Sequence, residues 1–126
     1  IDAVFIVTPT STHYEVAKKC LETNTHVFCE KPLCATMEEV RGLKKLLGKQ
    51  VLQVGHSERF HACWEEKDLL SPYIKPKSTI RIDRRAPFKG RATDVDVIQD
   101  LMIHDLDLLV FLLNYAGLVR LRCIYI

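Results

Sequence analysis

The amino-acid sequence predicts an α/β fold in which half of a doubly wound parallel sheet precedes the start of an α+β domain with an open antiparallel sheet. Residues 3–7 form a continuous apolar run, as in a parallel strand covered on both faces. Residues 26–29 and 51–54 are predicted to be two further short strands. Amphipathic segments separate the three predicted strands, which indicates consecutive βαβ units. Residues 78–84 and 118–126 instead alternate between apolar and polar side chains, which is typical of antiparallel strands with one wet face.

The two helices of the first half are predicted from their capping residues. Thr12 is expected to be a helix N-cap, and Glu15 three residues later completes a capping box. Asn24 is expected to end that helix. Thr36 and Glu39 repeat the box at the start of the second helix. Both segments carry apolar side chains at helical spacing, so both helices are expected to pack on the sheet.

The second half changes character after the third strand. Residues 59–70 are predicted to form a helix, and two prolines then mark a loop. Residues 95–114 are predicted to form a long and very apolar helix that Gly117 ends. The boundary between the two domains is expected near residues 55–59.

Composition and charge exclude several classes of protein. Hydrophobic residues make up 48% and charged residues 27% of the 126-residue chain, which is enough apolar material for a core. The net charge of +2 gives no global electrostatic case for a nucleic-acid partner. No apolar run approaches the ~20 residues of a membrane helix, and no secretory leader is visible. A cytoplasmic protein without a membrane partner is therefore expected.

The cysteines are odd in number and scattered. They fit neither a metal-binding C-x-x-C pattern nor a disulfide framework. Reduced core thiols in a cytosolic protein are therefore the expected state. The five positions are Cys20, Cys29, Cys34, Cys63 and Cys123.

Lys31, Asp100 and His104 form the pattern with the clearest chemical meaning. Lys31 follows the second predicted strand, and parallel sheets hold ligands at the carboxyl ends of their strands. Pro32 favours extended geometry at Lys31. Asp100 and His104 share one face of an α-helix, where the carboxylate would favour the imidazolium. Together these residues predict acid–base catalysis on a hydroxyl or carbonyl.

Other interpretations of these residues stay open. A lysine after a strand is usually solvated, and an Asp–His pair four residues apart can be a surface salt bridge worth ~0.5 kcal/mol or less. Apolar neighbours such as Leu101 and Ile103 favour a function, because polar groups in apolar surroundings need a reason. A zinc or iron site is the remaining interpretation. Asp105 and Asp107 point to other helical faces, so no metal is expected.

The five glycines are isolated, and no strand is followed by a G-x-G-x-x-G turn. A complete dinucleotide-binding fold would carry this turn in its first βα unit. Either the protein never had such a turn, or the sequence is a segment of a longer chain. The 126-residue chain by itself is therefore predicted to be inactive.

Four segments, taken in order, resemble one oxidoreductase family. They are AVFIVTPTSTH at residues 3–13, HVFCEKPL at 26–33, VGHSERF at 54–60 and DLMIHDLD at 100–107. Each match is weak alone, but the ordered set resembles the central segment of the Gfo/Idh/MocA family of NAD(P)-dependent oxidoreductases. The resemblance implies that residues 1–57 are the second half of a Rossmann-like nucleotide domain. Residues 58–126 would begin a C-terminal α/β domain for substrate binding or oligomerisation.

The resemblance also implies roles for individual residues. His104 would accept the proton of a substrate hydroxyl, Lys31 would shuttle a proton or donate a hydrogen bond to that oxygen, and Asp100 would support the pair. The cofactor would be NAD or NADP. The residues implied to lie beside it are Thr8, Pro9, Thr10, His13, Glu30 and Lys31.

A local basic cluster lies in the second half of the chain. Its members are Arg81, Arg84, Arg85, Lys89 and Arg91. Such a cluster is usually a solvated face, but arginine is well suited to diphosphate groups. The run from residue 85 to residue 104 resembles family members that act on UDP-linked amino sugars. We therefore expect Arg84, Arg85 or Arg91 to help hold a UDP-sugar.

Two functions remain open at this stage. The first is an NAD(P)-dependent dehydrogenase of a sugar or nucleotide sugar, which is expected to form a homo-oligomer. The second is a truncated, non-catalytic homologue that serves as a binding or oligomerisation module. Nucleic-acid binding through the basic cluster is not expected at this net charge.

Overall fold

A parallel three-stranded sheet organises the first half of the protein. The computed structural model describes residues 1–85, 87 and 94–118. The strands are β1 (Ala3–Ile6), β2 (His26–Glu30) and β3 (Leu52–Gly55), and they lie in the order β1-β2-β3. Both pairings are parallel, with Ile6 opposite Cys29 and Glu30 opposite Gly55. The predicted parallel sheet is confirmed.

Two helices connect these strands. They are α1 (Thr10–Glu22) and α2 (Met37–Leu46). Their apolar side chains share one buried cluster with the strands, including Ala17, Leu21 and Leu43, each at most 2% exposed. Burial of these side chains gives the two helices most of their stability, since short helices are marginal alone.

The predicted start is confirmed for α2 and wrong for α1. Thr36 accepts a hydrogen bond from the Glu39 backbone N–H, and the Glu39 side chain accepts from the Thr36 backbone, so the second capping box is confirmed. The first box is wrong, because α1 begins at Thr10 with Pro9 as its N-cap. The Thr12 hydroxyl instead donates to the Pro9 carbonyl at 2.8 Å. Proline has φ already set for a helix start, which moves the start ahead of Thr12.

The segment after β3 differs from its prediction. Four short 3₁₀ turns replace the single helix expected over residues 59–70. Phe60 is 82% exposed and Leu69 is 66% exposed, so the segment has no continuous buried stripe to stabilise an α-helix. The turns are Ser57–Phe60, Ala62–Trp64, Lys67–Leu69 and Ser71–Tyr73.

The long apolar helix is confirmed, with an irregular start. A π-helical turn, Ile98–Met102, leads directly into α3 (Ile103–Tyr115). Gly117 has φ +70°, and its N–H donates to the Asn114 carbonyl, so it ends the helix as expected. No helix of the described residues is long and apolar enough to cross a membrane.

The expected antiparallel sheet is not confirmed. Residues 78–84 are described, and they form neither helix nor strand. A strand needs a hydrogen-bonded neighbour, and the predicted second strand lies mostly at residues 119–126, outside the described part of the chain.

Candidate active site

The carboxyl ends of the three strands lie at one edge of the sheet and carry the candidate residues. The turn at residues 8–10 follows β1, Lys31 follows β2, and His56 follows β3 directly. This edge is where open parallel sheets bind ligands. The fold therefore brings together three segments that are far apart in the sequence.

Lys31 is joined to Asp100 by two hydrogen bonds. Its Nζ donates to the carboxylate oxygen Oδ1 at 2.8 Å and to the Asp100 backbone carbonyl at 2.6 Å. The side chains of Lys31 and Asp100 are 15% and 26% exposed, so the pair is mostly shielded from water. The Lys31–Pro32 peptide bond is cis. The expectation that folding unites Lys31 with Asp100 is thus met in the geometry.

The predicted pairing of Asp100 with His104 is not observed. Asp100 lies inside the π-helical turn, where the Ile103 N–H donates to the Ile98 carbonyl five residues earlier. The wider turn breaks the four-residue spacing that places α-helical side chains on one face. The Asp100 carboxylate bonds to Lys31 instead, and no hydrogen bond joins it to His104. Such single π turns are frequent at functional sites.

The surroundings of His104 favour its neutral form. Burial lowers the pKa of His104 below its usual 6.5, and the positive charge of Lys31 lowers this pKa further. The sequence predicted that the Asp100 carboxylate would favour the charged imidazolium of His104. The pKa is lowered instead, because the Asp100 carboxylate bonds to Lys31. The Nδ1 of His104 is buried and has no hydrogen-bond partner among the described residues.

His56 was missed as a site residue, although the sequence contains a signal for it. It is the first residue after β3, at the same sheet edge as Lys31. Its Nε2 lies 3.7 Å from Asp107 Oδ1, and its Nδ1 is buried with no partner in the part of the chain that the structure describes. Burial lowers the pKa of His56, while the Asp107 carboxylate opposes this shift. Parallel sheets hold ligands at the carboxyl ends of their strands. That rule pointed to Lys31 after β2, and it points equally to His56 after β3.

Two arginines form hydrogen bonds with the carboxylates of Asp105 and Asp107, which a metal site on α3 would need as ligands. Asp107 is 9% exposed and accepts from Arg59 Nε at 2.6 Å. Asp105 accepts from Arg84 Nη2 at 2.8 Å. Among the described residues, no group of three or more His, Cys, Asp or Glu side chains could hold a metal ion.

The residues that the resemblance places beside the cofactor differ in how deeply they are buried. Thr8 and Pro9 are exposed, whereas Thr10 is buried. His13 is 1% exposed, and its ring nitrogens lie against backbone carbonyls at 2.8 and 2.9 Å. Glu30 is half-buried, and its Oε2 accepts the Lys31 backbone N–H at 3.2 Å. Thr8, Pro9, Glu30 and Lys31 are thus the members of this set whose side chains are not fully buried.

The basic cluster is only partly described. Arg84 is held by Asp105 and lies 3.9 Å from Glu58 Oε1, and the hydrogen bond to Asp105 raises the pKa of Arg84. Arg85 is exposed, and Arg91 lies outside the described residues. A mostly apolar cavity of about 440 Å³ lies between the 3₁₀ turns and α3, with Glu58, Arg84 and Asp105 in its lining.

The sequence matches known oxidoreductases. A family described as "Oxidoreductase family, NAD-binding Rossmann fold" matches residues 1–56. UDP-N-acetylglucosamine 3-dehydrogenase of Acidithiobacillus ferrooxidans is 41% identical over 126 residues, covering 98% of this chain. Inositol 2-dehydrogenase of Rhizobium meliloti is 35% identical over 90% of this chain. The chain spans only 39% and 37% of the lengths of these two relatives.

Solved structures agree with these matches. That of the A. ferrooxidans enzyme aligns with a TM-score of 0.70 and 39% identity, covering 89% of this chain and 37% of that one. An inositol dehydrogenase homologue from Azotobacter vinelandii, complexed with NADH and myo-inositol, aligns with a TM-score of 0.51 and 35% identity. That alignment covers 56% of this chain and 19% of the homologue. Residues 1–56 belong to the NAD-binding Rossmann domain of the Gfo/Idh/MocA family of oxidoreductases.

Proposed function

We propose that this chain supplies the acid–base groups of an NAD(P)-dependent dehydrogenase that oxidises a hydroxyl group of a sugar or nucleotide sugar. The observation that carries the proposal is the Lys31–Asp100 pair, which joins the end of β2 to the π-helical turn at 2.8 Å. His104, with its lowered pKa, follows in the first turn of α3. Titratable groups with shifted pKa values at the ligand-binding edge of a sheet are favoured candidates for catalysis.

The residues at this edge fit a nicotinamide cofactor. Glu30 uses Oε2 for the Lys31 backbone, while its Oε1 lies near Gly55, where an added Cβ would come within 3.1 Å of it. A carboxylate held in this way can accept hydrogen bonds from ribose hydroxyls. When bound, the cofactor supplies the acceptor for a hydride. The chain's own residues must orient the reacting hydroxyl and remove its proton.

Lys31 is suited to orient that hydroxyl. An ammonium group has three N–H donors, and Asp100 accepts two of them. No other described residue accepts the third, which is left for a substrate oxygen. Because two donors are anchored on one residue, the direction of the third is constrained, which lowers the ordering cost on binding.

His104 is suited to remove the proton. As the C–H bond of the substrate breaks to release a hydride, the O–H proton passes to His104 Nε2, and the alcohol becomes a carbonyl. A base with a lowered pKa is unprotonated at neutral pH and ready to accept that proton. The imidazolium that forms lies near Lys31, whose positive charge favours release of the proton after turnover.

The substrate class rests on the relatives. The named relatives include dehydrogenases of UDP-N-acetylglucosamine and of inositol. A nucleotide sugar would need groups for its diphosphate, and Arg84, Arg85 and Arg91 remain our candidates. Arg84 would have to share its guanidinium with Asp105 to do so. Assembly into a homo-oligomer also remains a proposal.

Activity assays of the full-length protein test the proposed function. NAD⁺ or NADP⁺ is incubated with UDP-N-acetylglucosamine, myo-inositol and related sugars, and formation of reduced cofactor is followed. Lys31→Met and His104→Gln are each expected to lower kcat by ~10²–10⁴-fold. Lys45→Met is the matched control, because Lys45 is exposed on α2. Near-normal turnover in both variants would refute these roles, and cofactor binding without turnover of any sugar would favour the binding-module alternative.

A further inference from the structure

Gln99 makes a second connection between the π-helical turn and the loop that follows β2. Its side-chain Nε2 donates to the carbonyl oxygen of Ala35 at 2.7 Å, in a partly buried position. Gln99 precedes Asp100 directly, and Ala35 lies four residues after Lys31. Beside the Lys31–Asp100 pair, a second contact therefore joins the same two segments.

Both partners in this hydrogen bond are held by their own neighbours. The Gln99 backbone N–H donates to Asp96 Oδ1 at 2.8 Å. The Ala35 backbone N–H donates at 3.0 Å to Oε2 of Glu39, the same carboxylate that completes the capping box of α2. Because donor and acceptor are each held locally, little conformational entropy is lost when the bond between them forms.

The Lys31 ammonium by itself fixes the position of Asp100 only loosely. A lysine side chain has a flexible four-carbon stem and three donors that rotate, so a lysine–carboxylate pair is compatible with several arrangements of the two backbones. The Gln99 amide ends instead on a backbone carbonyl, which moves only with the loop itself. The bond to Ala35 therefore restricts where the next residue, Asp100, can lie.

We infer that Gln99 is a positioning residue, which ties the π-helical turn to the Ala35 carbonyl and so holds Asp100 against Lys31. Gln99 acts through Asp100 and touches neither substrate nor cofactor in this role. The part of the inference that concerns catalysis rests on the proposed function. The effect on the Lys31–Asp100 pair does not, and it can be measured without turnover of any sugar.

Gln50 provides a matched control in the same domain. Its side-chain Nε2 donates to the carbonyl oxygens of Leu21 at 3.0 Å and Leu46 at 3.3 Å, so it also joins backbone segments through an amide. Gln50 is 8% exposed and lies before β3, at the end of the sheet opposite to Lys31. Gln50→Met is therefore expected to lower stability without any effect on the Lys31–Asp100 pair.

The first test measures how readily an amine-reactive reagent modifies Lys31, whose side chain is 15% exposed in the pair. In the full-length protein, Gln99→Met should raise the rate of Lys31 acylation by ~2–10-fold, the range that corresponds to the loss of one hydrogen bond. Mass spectrometry of digests gives the rate. Asp100→Asn should also raise it, and Gln50→Met should leave it unchanged. A wild-type rate in folded Gln99→Met would overturn the inference, and Gln99→Ala, which also lacks the donor, gives the same measurement if the methionine variant does not fold.

The second test concerns catalysis. Gln99→Met is expected to lower kcat by ~2–10-fold and to change the KM for the sugar less, since Gln99 does not touch the substrate. In a protein that already carries Asp100→Asn, the same change should have a smaller effect on kcat, because it acts through that pair. Effects of the two changes that simply multiply would refute positioning through Asp100. Faster acylation of Lys31 in a Gln99→Met protein whose parent oxidises no sugar would support the positioning and count against the proposed function.

Discussion

The Nζ of Lys31 donates both to the Asp100 carboxylate at 2.8 Å and to the Asp100 backbone carbonyl at 2.6 Å, across 69 residues of sequence. The backbone contact depends on the path of the π-helical turn, and the side-chain contact depends on charge. The two contacts can therefore be separated by mutation. This relationship connects the nucleotide-binding sheet to the helix that carries His104.

Asp100→Asn should retain the shape of the contact and remove its charge. We expect kcat to fall by about 10-fold, equivalent to about 1.4 kcal/mol, because one charge-assisted hydrogen bond to Lys31 becomes neutral. Steady-state kinetics of the full-length protein give the measurement. Glu38→Gln changes an exposed carboxylate on α2 and should have no effect on kcat. Equal kcat in Asp100→Asn and wild type would show that the carboxylate does not support Lys31.

Protein stability should fall as the pH drops below about 6.5. Burial lowers the pKa of both His56 and His104 from 6.5 in the folded state. The unfolded chain therefore binds protons at a higher pH than the folded chain, and this contribution to stability is complete above 6.5 and is lost below it. Urea unfolding at a series of pH values gives the measurement.

The double variant His56→Gln/His104→Gln is the control for this pH series. It removes both shifted groups, so its unfolding free energy should depend less steeply on pH between 6.5 and the lowered values. An unchanged slope would mean that other groups cause the acid destabilisation.

The cysteines should differ in reactivity towards an alkylating reagent. Burial raises the pKa of Cys29 and of Cys34 to about 12, so neither forms the reactive thiolate at neutral pH. Both were expected as core thiols, and both are buried. Cys63 is exposed, contrary to that expectation, because it lies in a 3₁₀ turn rather than a buried helix.

We expect Cys63 to be labelled first in the native protein and Cys29 and Cys34 only after unfolding. Mass spectrometry of digests over a time course gives the order. Denatured protein is the control, since all thiols should then react at similar rates. Early labelling of Cys29 would contradict the buried position.

Asp107→Asn should destabilise the fold. The Asp107 side chain is 9% exposed and accepts from Arg59, so loss of its charge weakens a shielded bond and is expected to cost ~2 kcal/mol of unfolding free energy. Asp83→Asn is the matched control. Its partner Arg81 is 81% exposed and Asp83 itself is 53% exposed, so its cost should stay below ~1 kcal/mol. Similar costs in both variants would argue that Asp107 contributes no more than a surface pair.

Much of the first half was predictable because its signals are local. Short, mainly apolar segments predicted β1, β2 and β3, and the Thr36–Glu39 capping box predicted the start of α2. The start of α1 was misplaced because Thr12 and Pro9 offer competing starts, and the geometry of Pro9 prevailed. The helix expected over residues 59–70 did not form, because apolar side chains of the segment such as Phe60 and Leu69 are exposed and give no continuous buried stripe.

The sequence by itself determined the parallel sheet, the position of Lys31 at a strand end and the family, since these follow from apolar patterns and short motifs. Only the tertiary structure decided which charges meet. Asp100 in the π-helical turn bonds to Lys31, and burial together with the Lys31 charge lowers the pKa of His104. His56 lies beside Asp107. Spacing along the sequence predicts which side chains share a face only if the segment is α-helical, and residues 98–102 form a π-helical turn. Charge pairing depends on distances that the chain acquires only when it folds.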